Sequence, residues 1–202
     1  MARNMMKKRV LKLQFNAPLI LLFSLASLAV LIADYYTGGK GDGLGDSTVR
    51  FFSVYRTSWA DPAAYVRLFG HVLGHLDWSH YLGNIMLLLV VGPPLEEKYG
   101  SWTLLWAMCV TAVVSGLAFI LLNGNGLLLG ASGIVFMCIM LSSLAGMRDG
   151  AIPITLILVA ILYLGGELWD AFTAANSVSH LTHIIGGLCG TVIGFILARR
   201  RR

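Results

Sequence analysis

Charge is scarce in this chain. Lys, Arg, Asp and Glu make up 12% of its 202 residues, about half the share of an ordinary soluble domain. So little charge cannot cover a water-facing surface, and a soluble enzyme is excluded. Cysteine is nearly missing too: Cys109, Cys138 and Cys189 all lie inside apolar runs. They offer neither a disulfide framework nor a CxxC metal or redox spacing. The five histidines are too few for the histidine-box iron enzymes of membranes. The net charge of +5 sits mostly in two clusters at the chain ends that no aromatic-and-basic single-strand motif accompanies, so no nucleic-acid partner is expected.

What the chain has is apolar length. Apolar residues make up 57% of it, in runs such as 17–33 and 102–122 that approach the roughly 20 residues needed to cross a hydrocarbon core. The expected fold is an all-α polytopic membrane protein with six transmembrane helices, near 16–34, 78–94, 101–122, 131–147, 152–170 and 181–198. The domain plan is a basic cytoplasmic N-terminus (1–15), a six-helix membrane domain (16–198) and a basic cytoplasmic C-terminus (199–202), without a further soluble domain. Arg3, Lys7, Lys8, Arg9 and Lys12 precede the first run, and Arg199 to Arg202 close the chain. With Lys98 and Arg148 they put eleven cations on the side of the termini and leave Lys40, Arg50, Arg56 and Arg67 opposite. The positive-inside rule therefore places both termini in the cytoplasm. Basic clusters abutting spans also contact anionic lipid. The first run is long for a signal peptide and lacks a clear small-x-small site, so it reads as a retained helix.

The first external segment, 35–77, begins with glycines and turns aromatic. Ten of the 21 aromatic residues fall between Tyr35 and Tyr81. With Arg50, Arg56 and Arg67 among them, the segment suits the lipid–water interface. A simple aromatic belt accounts for much of it.

Polar residues inside spans are costly there and default to functional candidates. Four stand out: His80, Asn84, Ser132 and His183. Each of His80, Ser132 and His183 precedes by 16 residues a charge at the far end of its span, namely Glu96, Arg148 and Arg199. Sixteen helical residues climb about 24 Å of a core about 30 Å thick, which puts all three side chains at one depth. Asn123–Gly126 reads as a loop, and Leu127–Leu129 leads back down to Gly130-Ala-Ser-Gly133. The fourth span is then short and entered by non-helical, re-entrant backbone, which needs protein or water around it. Ser132 would sit at a helix N-terminus, where unpaired N–H groups favour an oxyanion. Gly186, Gly190 and Gly194 form a smooth stripe after His183, facing the small residues Gly130, Ala131 and Gly133. Such close approach is what a Ser–His hydrogen bond requires. Phe136, one turn past Ser132, is placed to stack on His183.

Each feature alone has a plainer explanation. A lone GxSG or a glycine stripe is usually packing, and His80 with Asn84 would serve as interhelical hydrogen bonds. Together at one depth they point to chemistry. Zinc or copper binding by His71, His75 and His80 is disfavoured, because no acidic residue accompanies them in the HExxH manner, so no metal is expected. His180 is the second choice of base, being shallower than His183.

The stretches His71-x3-His75-x4-His80-x3-Asn84, Glu97-Lys-Tyr-Gly-Ser101, Gly130-Ala-Ser-Gly133 and His183-Ile-Ile-Gly186-x3-Gly190, in this order, resemble the rhomboid family of intramembrane serine proteases. The resemblance runs from the first span to Arg199 and implies the minimal six-helix form usual in bacteria, in the cell (inner) membrane. It implies a dyad with Ser132 as nucleophile and His183 as general base, then acid. It also implies an oxyanion hole from the Ser132 backbone N–H with the side chains of His80 and Asn84. Gly130, Gly133, Phe136, Gly186 and Gly190 are supporting positions. Transmembrane protein substrates in the lipid bilayer, and no cofactor, are implied as well. Two departures stand out. The aromatic often Tyr in the family is Phe136, and its Trp-Arg pair is Val66-Arg67. The alternative is a catalytically silent, client-binding rhomboid-like protein, whose usual mark, a lost Ser or His, is not found here.

Overall fold

The computed structural model describes residues 15–37, 44–122, 126–145, 151–152, 154–159, 161–162 and 177–199. They are helical: α1 (Pro18–Thr37), α2 (Asp46–Phe51), α3 (Pro62–Gly70), a 3-10 turn (His71–Leu73), α4 (Trp78–Tyr99), α5 (Ser101–Leu122), α6 (Ser132–Ala145), α7 (Ile154–Val159) and α8 (Ser177–Arg199). Three of these helices, α1, α5 and α8, are long and apolar enough to cross a membrane. Most of α4 aligns with the expected second span, but it runs on past Pro93 and Pro94 and ends in charged residues. At 14 residues α6 rises only about 21 Å, well short of the core thickness. The fifth expected span coincides with α7 at its start. Residues 163–170, with Glu167 and Asp170, lie outside the described residues, as do the basic runs before Phe15 and after Arg199.

The core sits around α6. Ile134, Val135, Met137, Cys138 and Leu141 are buried against Leu88 of α4 and Leu104 and Ala107 of α5. Its α8 face is closed backbone to backbone. A Cβ on Gly186 would collide with the Gly133 carbonyl, and one on Gly190 with that of Met137. Glycine is therefore required at 186 for the two helices to lie this close.

Glu96, the depth marker of α4, turns out not to be an edge charge. It is 3% exposed. Its carboxylate accepts from the N–H groups of Leu19 (2.8 Å) and Ile20 (3.0 Å) and from the Ser101 hydroxyl (2.7 Å). Pro18 opens α1 without an N–H, and Glu96 caps the next two donors from a neighbouring helix. One side chain thus joins α1, α4 and α5. Glu96→Ala is expected to lower stability by about 3 kcal/mol, since three buried donors lose their acceptor. Chemical denaturation in detergent micelles measures it.

The 35–77 segment is more structured than an interfacial belt. It carries two short helices, and Arg67 is not an interfacial cation but buried, 2% exposed. Its guanidinium pairs with Asp61 at 2.8 Å, donates to the Arg50 carbonyl at 3.2 Å and lies over the Tyr55 ring at 4.4 Å. Asp61 also caps α3 by accepting from Ala63 N–H, and the Arg67 partner holds its carboxyl below the usual carboxylate range. At the other end of the segment, buried Asp34 accepts from Gly45 N–H at 2.8 Å and ties α1 to the start of α2. Of the aromatic residues in this segment, Phe51, Trp59, Tyr65 and Phe69 are exposed.

Candidate active site

The residues leading into Ser132 are extended, not helical, and are held by the first loop. Leu128 and Val54 exchange two backbone hydrogen bonds (2.8 and 2.9 Å), and Gly130 N–H donates to the His71 carbonyl at 2.9 Å. Non-helical backbone at this position is therefore paired within the protein, as a membrane setting demands. The helix proper then starts at Ser132.

Gly130 has φ +122°, a conformation that L side chains rarely adopt, and a Cβ there would stand 2.8 Å from Cε1 and Nε2 of His80. The bare backbone lets the His80 ring press against the strand two residues before Ser132. His80 sits in the first turn of α4, where Asp77 caps the helix by accepting from His80 N–H at 2.8 Å. The His80 Nδ1 accepts from Leu76 N–H at 3.4 Å. That assigns the proton to Nε2, the atom against Gly130. Asn84, one turn on, gives one amide N–H to the His80 carbonyl at 3.1 Å. Its Nδ2 lies 3.9 Å from the place a Gly130 Cβ would occupy. Two side-chain donors thus converge on the backbone before Ser132.

From the other side comes α8. The rings of Phe136 and His183 stack with centroids 4.3 Å apart and planes 11° from parallel. Phe136 lies one turn after Ser132, so the stack places His183 beside the first turn of α6. Thr182 packs on Gly133, with Ser115 of α5 next to it. The stack engages His183, three residues deeper than the half-buried His180.

His71 and His75 do not join this face as donors. Each uses Nδ1 on a nearby carbonyl, of Arg67 and of Leu73 respectively, both at 3.2 Å. Burial pushes each imidazole down to about 4, so both are neutral near pH 7. The His75 ring stands edge-on to those of His80 (5.1 Å) and Tyr81 (5.4 Å) and backs the His80 ring. Among the described residues the Nε2 atoms of His71 and His75 and the Ser115 hydroxyl are buried without a hydrogen-bond partner.

A profile of the rhomboid domain matches residues 62–200. The chain belongs to the rhomboid family. Rhomboid-related protein 1 of Caenorhabditis elegans is 30% identical over 142 residues, 65% of this chain and 39% of that protein. Rhomboid protease GlpG of Pectobacterium atrosepticum is 32% identical over 133 residues, 64% of this chain and 47% of that protein. Rhomboid-related protein 2 of mouse is 28% identical over 197 residues, 87% of this chain and 62% of its own length. The first two comparisons cover less than half of the relative's length. Family membership and the apolar helices make this rhomboid chain an integral membrane protein.

Sequence reasoning missed the Val54–Leu128 pairing and the Gly130–His71 bond. Both join segments far apart in the chain, and no local pattern announces them. It also missed the capping role of Glu96. The signal for that was present: an acidic residue next to a run of charge-free helix has to find donors.

Proposed function

We propose that this rhomboid chain is an intramembrane serine endopeptidase that cleaves a peptide bond in or near the transmembrane segment of membrane-protein substrates. The observation that carries the reading is the Phe136–His183 stack, which sets the plane of an imidazole carried by α8 against the helix that Ser132 begins. In this mechanism Ser132 Oγ attacks the carbonyl carbon of the scissile bond while its proton passes to His183. The resulting oxyanion accepts from the Ser132 backbone N–H, His80 Nε2–H and the second Asn84 amide N–H, as donors fixed before charge develops stabilise it most. Collapse breaks the C–N bond, and His183 gives its proton to the departing amine. Water, losing a proton to His183, then attacks the acyl ester, and the proton returns to Ser132 as the acid product leaves. The assigned Nε2–H tautomer of His80 supports the donor role, and the neutral His75 behind it supports the ring's orientation. The same reading keeps both termini in the cytoplasm, a transmembrane domain of six spans, and a catalytic face near the external boundary. It calls on no metal and no cofactor.

A fluorophosphonate probe tests the assignment. Purified chain is expected to be labelled at Ser132, with labelling lost in His183→Ala and kept in His180→Ala. An unlabelled parent protein, or equal labelling of His183→Ala, overturns the dyad in favour of a silent client-binding role.

A further inference from the structure

Three consecutive residues of the first loop grip both α5 and the strand ahead of Ser132. Val54 exchanges its two backbone hydrogen bonds with Leu128. Two residues on, Arg56 Nη2 donates to the Ile120 carbonyl at 3.0 Å. Tyr55, between them, has the Arg67 guanidinium 4.4 Å from its ring centroid. The three residues are therefore held by three separate partners.

Ile120 lies in the last turn of α5. The final four carbonyls of a helix have no N–H partner within it, and the dipole at that end favours a cation. Arg56 supplies both a donor and a positive charge from 64 positions earlier in the chain. Val54, Phe119 and Leu128 also share one buried cluster with Leu68. So α5 serves as the fixed reference, Arg56 as the clasp, and Val54 as the arm that passes its position to Leu128. Gly130 follows two residues later, with its backbone against the His80 ring.

We propose that Arg56 is a positioning residue for the peptidase chemistry, and the proposal rests on that reading of the Ser132 site. Arg56 touches no reacting atom. It fixes the strand before Ser132 against α5, and through that strand the place of the Ser132 N–H relative to His80.

Arg56→Met tests this in the full chain in nanodiscs, since it keeps the apolar stem and removes the donors and the charge. The kcat is expected to fall about fivefold with KM unchanged, which converts to about 1 kcal/mol, the net worth of one hydrogen bond. Amide exchange, read by mass spectrometry in the peptide carrying Leu128 and Gly130, is expected to quicken. Arg56→Lys, which keeps a cationic donor at the helix end, recovers most of both. Arg50→Met removes a cation of the same loop whose guanidinium lies over Phe51, and leaves both at the parent value. Exchange needs no turnover, and fluorophosphonate labelling of Ser132 in the parent reports on the peptidase reading by itself. An unlabelled parent ends that reading, whereas unchanged exchange in Arg56→Met overturns this proposal. Quicker exchange with kcat intact overturns it too, because Arg56 would then only stabilise the end of α5. So does a loss that lysine does not restore or that Arg50→Met reproduces.

Discussion

With alanine at position 132, peptide-bond hydrolysis by the purified chain in bilayers is expected to fall by about 10⁴-fold or more. Substrate affinity should stay near the parent value, because the lost Oγ acts on the reacting carbonyl and not on the rest of the segment. A double variant with His183→Ala should be no slower than either single one, since the two groups act as a unit. Turnover of a fluorogenic transmembrane substrate checks all three expectations. A Ser132→Ala protein that works at the parental rate would remove the serine from the chemistry.

Gly130→Ala is the second large effect. The new methyl meets the His80 ring at 2.8 Å, and the backbone at φ +122° resists any L side chain. Backbone strain of this kind costs about 1–3 kcal/mol. Relief by turning His80 away removes one oxyanion donor, worth about 10²–10³-fold in kcat. The expected result is a lower melting temperature together with a kcat loss of that size and little change in KM. A drop in melting temperature with kcat intact would place His80 in packing alone. Asn84→Ala, which leaves Gly130 undisturbed, should show the kcat loss without the strain.

The helices α1, α5 and α6 and the contact of Phe136 with His183 were legible from the chain because helix periodicity is a local quantity. Counting residues to a charge placed Ser132 and His183 at one level, and the Gly186 stripe said which faces meet. The count for His80 used Glu96, whose charge is buried as a cap and does not mark a membrane edge. Arg67 was read as an interfacial cation since its neighbours are aromatic. Only the fold shows that Asp61, Tyr55 and the Arg50 carbonyl enclose it. The pairing of Val54 with Leu128 depends on two segments 74 positions apart (128 − 54), and no window-based pattern spans that distance.

That pairing bears on how the protein is made. During synthesis the serine emerges before α8, and the strand ahead of it must already find Val54 and His71 from a loop completed much earlier. His183 arrives only when the last helix packs onto Gly133. A half-made chain therefore contains the serine without its partner, on a strand that is still searching for its register. Under the proposed mechanism, a chain made only as far as α6 holds the nucleophile without its base, and hydrolysis waits until α8 packs onto Gly133.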